Sequence, residues 1–304
     1  METSFLDDEV RCEFRVSKKR KQIWEIELSL IKELQRVCEK YQLRYYASNG
    51  TLLGAIRHNG FVPWDDDVDL MMPRPDYEKL LSIADKEFQS PFFFQTAHND
   101  QEYFRNYGRL RNKETTALTS RGWEKKSCHG IFIDIFPIDG SYNNSLCVKW
   151  QSFLIKGYCA LANTYVYYDE FKPSFIRKLL YWSATRYCHK HSFQHLLQRI
   201  ENLRSRVSFE TAKNVYVICH GGSTIYFPKS YLGNGITKDF EYLKLNIPKE
   251  YDKLLTLHYG NYMELPPMEK RGVHHSIFFD PEHSYREYQG RLRLEDAKKQ
   301  FNDY

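Results

Sequence analysis

SNGTLLGAIRHNGFVPWDDDVDLMMPRPDY, residues 48 to 77, is the most informative segment of the chain. Four of the five residues from Asp65 to Asp69 are aspartates, and an apolar run follows directly at residues 70–72. If Asp67 and Asp69 lie on a strand, their carboxylates project from the same face, about 7 Å apart at the backbone. Acids packed this closely repel one another, and a cation relieves that repulsion. We therefore predict that Asp67 and Asp69 bind Mg²⁺ or Mn²⁺, which prefer oxygen ligands and are commonly bridged by substrate phosphates.

Three other interpretations of the acidic run stay open at this point. It is compatible with a solvated loop, although Trp64 and the apolar run on either side argue against full exposure. A DxD glycosyltransferase site fits the aspartates alone equally well. A calcium loop would use Asp65, Asp67 and Asp69, with Asp76 at its twelfth position, but Leu70 stands where that loop requires glycine.

Glycines and basic residues precede the acidic run and suggest a phosphate site. Gly50, Thr51 and Gly54 lie in a predicted turn that spans residues 48–54, where glycine lets backbone amides approach a phosphate closely. Arg57 and His58 follow within a few residues, and an arginine can hold phosphate oxygens in bidentate fashion. We expect this segment to bind a diphosphate.

A third carboxylate is embedded in the apolar sequence GIFIDIFPI, residues 130–138. The alternation predicts a strand, with Phe132, Asp134 and Phe136 on one face. A buried acid is costly unless it has a partner, which favours a functional role for Asp134. The alternative is that Asp134 satisfies a nearby backbone group.

Length and composition exclude several classes of protein. The chain has 304 residues, of which 42% are hydrophobic, so it can bury a real core and is neither disordered nor a disulfide-stapled miniprotein. A net charge of +5 is too mild to indicate nucleic-acid binding. The acidic N-terminus, the lack of a long apolar run and an odd count of 7 cysteines without a CxxC pair predict a cytoplasmic protein with reduced thiols. The basic run Lys18 to Lys21 is expected to be a solvated first helical turn rather than a lipid site.

The chain is predicted to be one α+β catalytic unit over residues 1–304. It would contain an N-terminal helix (18–41), an acidic core (42–140), a helical insertion (about 146–207) broken at Pro173, and a C-terminal region (210–304). Shorter elements are predicted as strands at 43–47, 92–94 and 214–219 and as a helix that starts near Pro75 and Asp76.

The residues 50–80 resemble the signature of the LicD family, whose eukaryotic relatives include fukutin and the fukutin-related protein. Two further blocks agree in the family's order: GIFIDIFPIDG at 130–140, and a C-terminal stretch at 247–275 that contains PKEYDKLLTLHYGNYMELPPMEKRGVHH. The resemblance implies a nucleotidyltransferase-like fold of the DNA polymerase beta type, with a mixed sheet and flanking and inserted helices. It also implies metal-dependent transfer of phosphocholine from CDP-choline to a sugar hydroxyl of teichoic acid or lipopolysaccharide, with release of CMP. The fukutin branch transfers ribitol phosphate instead.

The resemblance and the spacing together assign roles to individual residues. Asp67 and Asp69 would be catalytic metal ligands, Asp134 a third ligand that also receives or positions a proton, and Asp65 a further ligand. Substrate contacts are expected from the glycine-rich segment and from seven other residues: Arg57, His58, Trp64, Asp66, Arg74, Arg271 and His274. Asp65 and Asp66 are alternatively expected to hold Arg57 and Arg74.

The expected partners are a CDP-activated donor and a glycan or lipid-linked glycan acceptor, without nucleic acid. A quaternary ammonium such as choline favours aromatic faces, and the chain offers Trp64, Trp123 and the tyrosines at 165, 167 and 168 as candidates. If the acceptor is lipid-linked, the protein would contact the inner face of the membrane peripherally. The sequence makes no prediction of oligomeric state.

Overall fold

The computed structural model describes residues 5–119, 125–170, 174–219, 223–272, 276–289 and 291. Within these ranges the fold is mixed α+β, as predicted. The helices are α1 (Lys18–Tyr41), α2 (Asn49–Arg57), α3 (Arg74–Glu87), α4 (Ser145–Tyr167), α5 (Phe175–His191), α6 (Phe193–Arg204), α7 (Tyr251–Tyr259) and α8 (Tyr285–Tyr288). The strands are β1 (Glu9–Arg11), β2 (Phe14–Val16), β3 (Tyr46–Ala47), β4 (Asp69–Pro73), β5 (Phe92–Gln95), β6 (Gly108–Asn112), β7 (Thr116–Thr119), β8 (Ile131–Ser141), β9 (Asn214–Ile218), β10 (Thr224–Pro228), β11 (Ile236–Phe240), β12 (Leu243–Ile247) and β13 (Ser276–Asp280).

A seven-stranded mixed sheet organises the fold around β8. Its main path runs β10-β9-β8-β4-β3, and β6 with β5 joins the other part of β8. All eleven residues of β8 are buried, because strands pair with it along its whole length. The β4 and β8 strands are parallel, with Asp69 opposite Asp134, whereas β6 and β9 run antiparallel to β8. This pairing places two of the predicted site residues side by side.

Helix α1 spans the predicted residues and packs its apolar face into the main core. Ser17 caps its N-terminus by accepting a hydrogen bond from the Arg20 amide, and Gln42 ends it in the left-handed region at φ 55°. The expectation of a solvated basic first turn is wrong for two of its residues. Arg20 and Lys21 are buried, because Arg20 reaches the Asp65 carbonyl at 3.0 Å and Lys21 pairs with Glu9 at 2.8 Å.

The predicted turn over residues 48–54 is instead the start of helix α2, which begins at Asn49. The Ser48 amide donates to the Asp69 carbonyl at 2.9 Å, and the Ser48 carbonyl accepts from the Leu52 amide at 2.9 Å, so the chain passes directly from sheet to helix. Gly50 is required by a close approach, since a Cβ there would lie 2.3 Å from Asp65 Oδ2. The acidic run therefore packs against the first turn of a helix.

The helical insertion consists of three helices, α4, α5 and α6. The predicted break at Pro173 lies outside the described residues, whereas a second break at Ser192 was not predicted. Ser192 has a φ of 72°, and its hydroxyl caps α6 by accepting from the His195 amide at 3.2 Å. Among the described helices, none combines the length and the apolar character that crossing a bilayer requires.

Candidate active site

The acidic run lies where the chain enters β4. Only Asp69 belongs to the strand itself, so the prediction that Asp67 also lies on a strand is wrong. Burial nevertheless alternates along this segment as it does along a strand, since Asp65, Asp67 and Asp69 are half-buried and alternate with the buried Asp66 and Val68. One carboxylate oxygen from each of Asp65, Asp66 and Asp67 lies within 4.8 Å of the others. The run thus gathers several carboxylates into one place.

Helix α2 fixes the orientation of Asp69. The Asp69 amide donates to the Thr51 hydroxyl at 2.8 Å, and the Asn49 side-chain amide donates to Asp69 Oδ2 at 3.0 Å. Thr51 is buried, so in this structure its hydroxyl positions Asp69 rather than facing a substrate. Asn49 was missed by the sequence analysis, because its contact with Asp69 depends on the helix that replaced the predicted turn.

Asp134 is buried on β8 next to Asp69 and forms an ion pair with Arg109 on β6. The Arg109 Nε and one terminal nitrogen donate to the two Asp134 oxygens at 2.6 and 3.2 Å. The guanidinium carbon also lies 3.6 Å from the centroid of the Phe132 ring. Arg109 was not predicted, because only the register of β6 against β8 reveals that it faces Asp134.

Electrostatics in this centre favour a cation. Burial and the neighbouring Asp69, Asp65 and Asp66 carboxylates raise the pKa of Asp67 well above its ordinary value. Burial and Asp134 do the same to the pKa of Asp69, although the hydrogen bond from Asn49 opposes them. A bound cation would reverse both shifts. The donor set consists of carboxylate oxygens, which fits Mg²⁺ or Mn²⁺.

A further acid, Glu27 on α1, lies behind the centre and was missed by the sequence analysis. Its side chain is 1% exposed, and its Oε2 atom has no hydrogen-bond partner among the described residues. Burial, Asp66 and Asp65 raise its pKa well above the ordinary value. The periodicity of α1 places position 27 on the buried face of the helix. A charged residue at a position that is otherwise apolar was the sequence signal that could have identified Glu27.

A basic and aromatic group surrounds Trp64, the residue that immediately precedes the acidic run. The guanidinium carbons of Arg57 and Arg271 lie 5.9 and 4.9 Å from the centroid of the Trp64 ring, and the His58 ring meets Trp64 edge-on at 6.0 Å. Burial, and to a smaller extent the positive charge of Arg57, lowers the pKa of His58 to about 4. His58 is therefore neutral at physiological pH. The structure therefore brings together four of the predicted substrate residues. His274 and Trp123 lie outside the described residues.

The two arginines of this group are anchored by backbone carbonyls. Arg57 donates to the Tyr262 carbonyl at 2.7 Å, and Arg271 donates to the carbonyls of Pro266 and Cys12, each at 2.7 Å. Within the described ranges neither forms an ion pair, so the expectation that Asp65 and Asp66 hold Arg57 is wrong. Their positive charges remain available to an anion.

Arg74, a predicted substrate residue, lies at the far end of β4 and has a structural role. It donates to both oxygens of Asp139, at 2.6 and 2.9 Å, and to Glu201 at 2.6 Å. The expectation that Asp65 and Asp66 hold Arg74 is therefore wrong, because the length of β4 separates it from the acidic run.

The calcium-loop interpretation is also wrong. Its twelfth-position residue, Asp76, lies on α3 and pairs with Arg44 at 2.7 Å, and Leu70 is part of β4. A calcium loop requires its ligands to curl around one ion, whereas this segment runs straight into a strand and then a helix.

The architecture and the site thus define an α+β domain built around a carboxylate centre, and the sequence of this domain matches known proteins. Residues 42–166, which include the acidic run and Asp134, match the sequence model of a family described as LicD/FKTN/FKRP, nucleotidyltransferase domain. The chain contains a LicD family domain, and the resemblance noted in the sequence is confirmed.

Individual relatives extend this comparison. The chain is 26% identical over 257 residues to a Haemophilus influenzae protein described as lipopolysaccharide cholinephosphotransferase LicD, across 82% of this chain and 92% of that protein. An uncharacterized Rickettsia prowazekii protein is 36% identical over 79 residues, which is 26% of this chain and 28% of that protein. A similar Rickettsia typhi protein is 40% identical over 47 residues, 16% of this chain and 15% of its own length.

Proposed function

We propose that this protein is a divalent-metal-dependent transferase that moves phosphocholine from CDP-choline to a sugar hydroxyl of a cell-surface glycan precursor, of the lipopolysaccharide or teichoic acid type. The observation that carries the proposal is the carboxylate centre formed by the acidic run and Asp134 within the LicD family domain. The description of the H. influenzae relative supports the transferred group and the class of acceptor. The parallel β4 and β8 strands beside the start of α2 support a nucleotidyltransferase-like fold.

The residues of the centre are suited to hold one or two metal ions. Asp65, Asp67, Asp69 and Asp134 would provide the oxygen ligands, and Asp134 keeps acceptor capacity because a carboxylate has about four lone-pair sites while Arg109 uses two. Bound Mg²⁺ or Mn²⁺ would neutralise charge on the two phosphates of the donor and lower the pKa of the attacking hydroxyl. Arg109 orients Asp134 and limits its movement.

The basic group around Trp64 is suited to hold the diphosphate of the donor. Arg57 and Arg271 have cationic N–H groups beyond those used by backbone carbonyls, and guanidinium groups bind phosphate oxygens with matched geometry. His58 Nε2 accepts a hydrogen bond from Arg57 Nε at 2.9 Å, so neutral His58 has only its Nδ1–H, 3.7 Å from Cys12 Sγ, to donate to a phosphate oxygen. The guanidinium carbons of Arg57 and Arg271 lie 5.9 and 4.9 Å from the Trp64 ring centroid, so a quaternary ammonium would compete with them for this ring.

The reaction exchanges one phosphorus–oxygen bond for another. The acceptor hydroxyl oxygen forms a bond to the phosphorus that carries choline, and the bond from that phosphorus to the bridging oxygen breaks. The electron pair of the broken bond leaves with CMP. We assign Asp134 to position the acceptor hydroxyl and receive its proton.

The proposal is tested by donor binding and donor turnover. Release of CMP from CDP-choline and CDP-ribitol and release of UDP from UDP-glucose are measured with Mg²⁺, with Mn²⁺ and with EDTA, and calorimetry measures the binding of each donor. We expect metal-dependent binding and slow turnover of CDP-choline, both lost in Asp67→Asn/Asp69→Asn and retained in Asp76→Asn, a control aspartate on α3. The proposal would be overturned if neither CDP-choline nor CDP-ribitol bound.

A second candidate is transfer of another phospho-alditol from a CDP donor, because the matched family description also covers the fukutin branch. Preference for CDP-ribitol over CDP-choline in the same assay would favour it. Hydrolysis of UDP-glucose alone would instead support the DxD glycosyltransferase interpretation.

A further inference from the structure

Helix α5 lies at the outside of the helical insertion and leaves large apolar side chains in water. Of its seventeen residues only Ala184 is buried. Phe175, Ile176, Leu179 and Trp182 are all more than half exposed, from 54% for Leu179 to 82% for Phe175. A concentration of exposed apolar side chains on one helix marks an interaction surface rather than ordinary scatter.

The spacing of these residues gives α5 an apolar stripe on its exposed side. Phe175, Leu179 and Trp182 follow an i, i+4, i+7 pattern, which places them along one stripe of the helix. Arg186 continues the stripe, and its guanidinium carbon lies 5.7 Å from the centroid of the Trp182 ring. The stripe therefore begins apolar and ends cationic.

Helix α4 beside it repeats the pattern. Leu146, Trp150 and Phe153 show the same spacing and are 64 to 73% exposed, and the Trp150 and Phe153 rings stack at 5.8 Å. The two helices are neighbours, because the rings of Tyr158 on α4 and Tyr187 on α5 meet edge-on with their centroids 6.4 Å apart.

The charge of these two helices is one-sided. Together they contain six lysines and arginines and no aspartate or glutamate: Lys149, Lys156, Arg177, Lys178, Arg186 and Lys190. The whole chain has a net charge of +5, so the rest of the protein is slightly acidic, at −1. The surplus of positive charge thus lies on the helices with the exposed aromatic side chains.

We propose that α5, with α4 beside it, is a docking surface for a bilayer that contains anionic lipid. Tryptophan and tyrosine favour the interface between headgroups and acyl chains, and lysine and arginine are attracted to anionic headgroups. A helix of this kind lies in the plane of the surface with its apolar side chains among the acyl chains. A second copy is disfavoured as the occupant, because it would bring two cationic surfaces together.

Vesicle flotation of the full chain tests this proposal without any assay of catalysis. The probes are vesicles of phosphatidylcholine alone and of phosphatidylcholine mixed with phosphatidylglycerol. We expect the protein to float with the mixed vesicles at low salt and to remain in solution with phosphatidylcholine alone. Phe175→Ser/Trp182→Ser should weaken the partition by about ten-fold or more, because two large apolar side chains no longer enter the bilayer. Arg186→Gln/Lys190→Gln should weaken it by about five-fold for each charge removed.

Matched controls separate a specific surface from general stickiness. Val10→Ser/Ile236→Ser removes exposed apolar residues from β1 and β11, and Lys213→Gln/Lys238→Gln removes exposed charges elsewhere. Both controls should float like the original chain. Since Phe175 and Trp182 are mostly exposed, their substitution should leave the circular dichroism and the unfolding midpoint unchanged. The proposal would be overturned if the original chain failed to float with mixed vesicles or if the α5 variants floated equally well. It would also be overturned if α5 mediated self-association or bound an acidic protein while the chain did not bind vesicles.

Discussion

Two groups of carboxylates at opposite ends of the central strand β8 have opposite electrostatic surroundings. At one end of β8, burial raises the pKa of Asp139 less than Arg74 and Arg204 lower it, so the pKa is below its ordinary value. At the other end, burial and neighbouring carboxylates raise the pKa of Asp67 and Asp69 well above theirs. The first group is neutralised within the protein and stabilises the fold. The second keeps a surplus of negative charge, which is the property expected of a site that binds a cation.

The ion pair between Asp134 and Arg109 lies between these extremes. Asp134 belongs to the acidic centre by position, yet it has a buried cation of its own. Arg109 and the buried Arg20 beside five carboxylates leave that group acidic, whereas Arg74 and Arg204 balance the charges of Asp139 and Glu201. The comparison therefore predicts that substitutions in the acidic centre lower activity, whereas substitutions in the group around Asp139 lower the free energy of unfolding.

The largest expected effect is the loss of activity when the acidic centre is neutralised. Asp67→Asn/Asp69→Asn should lower kcat for CDP-donor turnover about ten-thousand-fold, which corresponds to roughly 5 kcal/mol of transition-state stabilisation. The free energy of unfolding in EDTA should not fall, because repulsion between carboxylates is removed. Steady-state kinetics and urea unfolding check both parts. A large loss of stability with activity retained would reverse the assignment.

The matched substitution in the other group should act on stability. Asp139→Asn leaves Arg74 and Arg204 without their shared carboxylate in a buried place, and breaking a buried ion pair costs about 3 kcal/mol or more. Urea unfolding should show this loss of stability. The kcat of the folded fraction should change less than three-fold, which corresponds to less than about 0.7 kcal/mol in activation free energy. A selective loss of kcat at unchanged stability would contradict the comparison.

A smaller effect is expected from Gly50→Ala. The added Cβ would lie 2.3 Å from Asp65 Oδ2 and must displace that side chain. Because misplacement by about 1 Å can cost about a hundred-fold in rate, we expect kcat to fall by ten- to a hundred-fold. Gly157→Ala on α4 is the control, since a Cβ at Gly157 meets nothing within 4 Å. Equal kinetics for the two variants would show that Asp65 tolerates the shift.

The pH dependence of stability should differ in sign between the two groups. Folding raises the pKa of Asp67 and Asp69. Their contribution to the free energy of unfolding is therefore fully present below the pKa of the unfolded chain, and it is lost as pH rises through the pKa of the folded protein. The contribution of Asp139, whose pKa is lowered, is present above the unfolded pKa and is lost as pH falls through the folded value.

In EDTA, the advantage of Asp67→Asn/Asp69→Asn over the original chain should therefore grow with pH, whereas the cost of Asp139→Asn should shrink at acidic pH. Urea unfolding at a series of pH values measures both differences. Parallel curves for all three proteins would contradict the electrostatic difference.

The smallest effect is expected at Glu27. Burial and the neighbouring carboxylates raise the pKa of Glu27 and favour its protonated form, for which glutamine is a close isostere. Glu27→Gln should change the free energy of unfolding by less than about 1 kcal/mol, whereas Glu27→Lys, which buries a positive charge, should prevent folding in the absence of compensation. A glutamine variant several kcal/mol less stable would show that Glu27 is charged in the folded protein.

The sequence predicted the parts of this centre that depend on local pattern. The acidic run, the strand around Asp134 and the helix at residues 18–41 follow from spacing over a few residues. The ion pairs of Asp134 with Arg109 and of Asp139 with Arg74 and Arg204 were missed, because they join segments far apart in the chain and require strand register. The prediction of a turn at 48–54 was wrong. Ser48 forms a backbone hydrogen bond with Asp69 of β4, and helix α2 begins at the next residue, Asn49.

The most direct test of the central claim is the metal dependence of stability. Urea unfolding is measured with increasing Mn²⁺ for the original chain, for Asp67→Asn/Asp69→Asn and for Asp139→Asn. A ligand that binds only the folded state stabilises it by about 2.7 kcal/mol at one hundred times its Kd. We predict that Mn²⁺ stabilises the original chain and Asp139→Asn equally, from a lower starting value for Asp139→Asn, and leaves Asp67→Asn/Asp69→Asn unchanged. An equal response of all three proteins to Mn²⁺, or none in the original chain, would contradict the assignment of the acidic centre as the metal site.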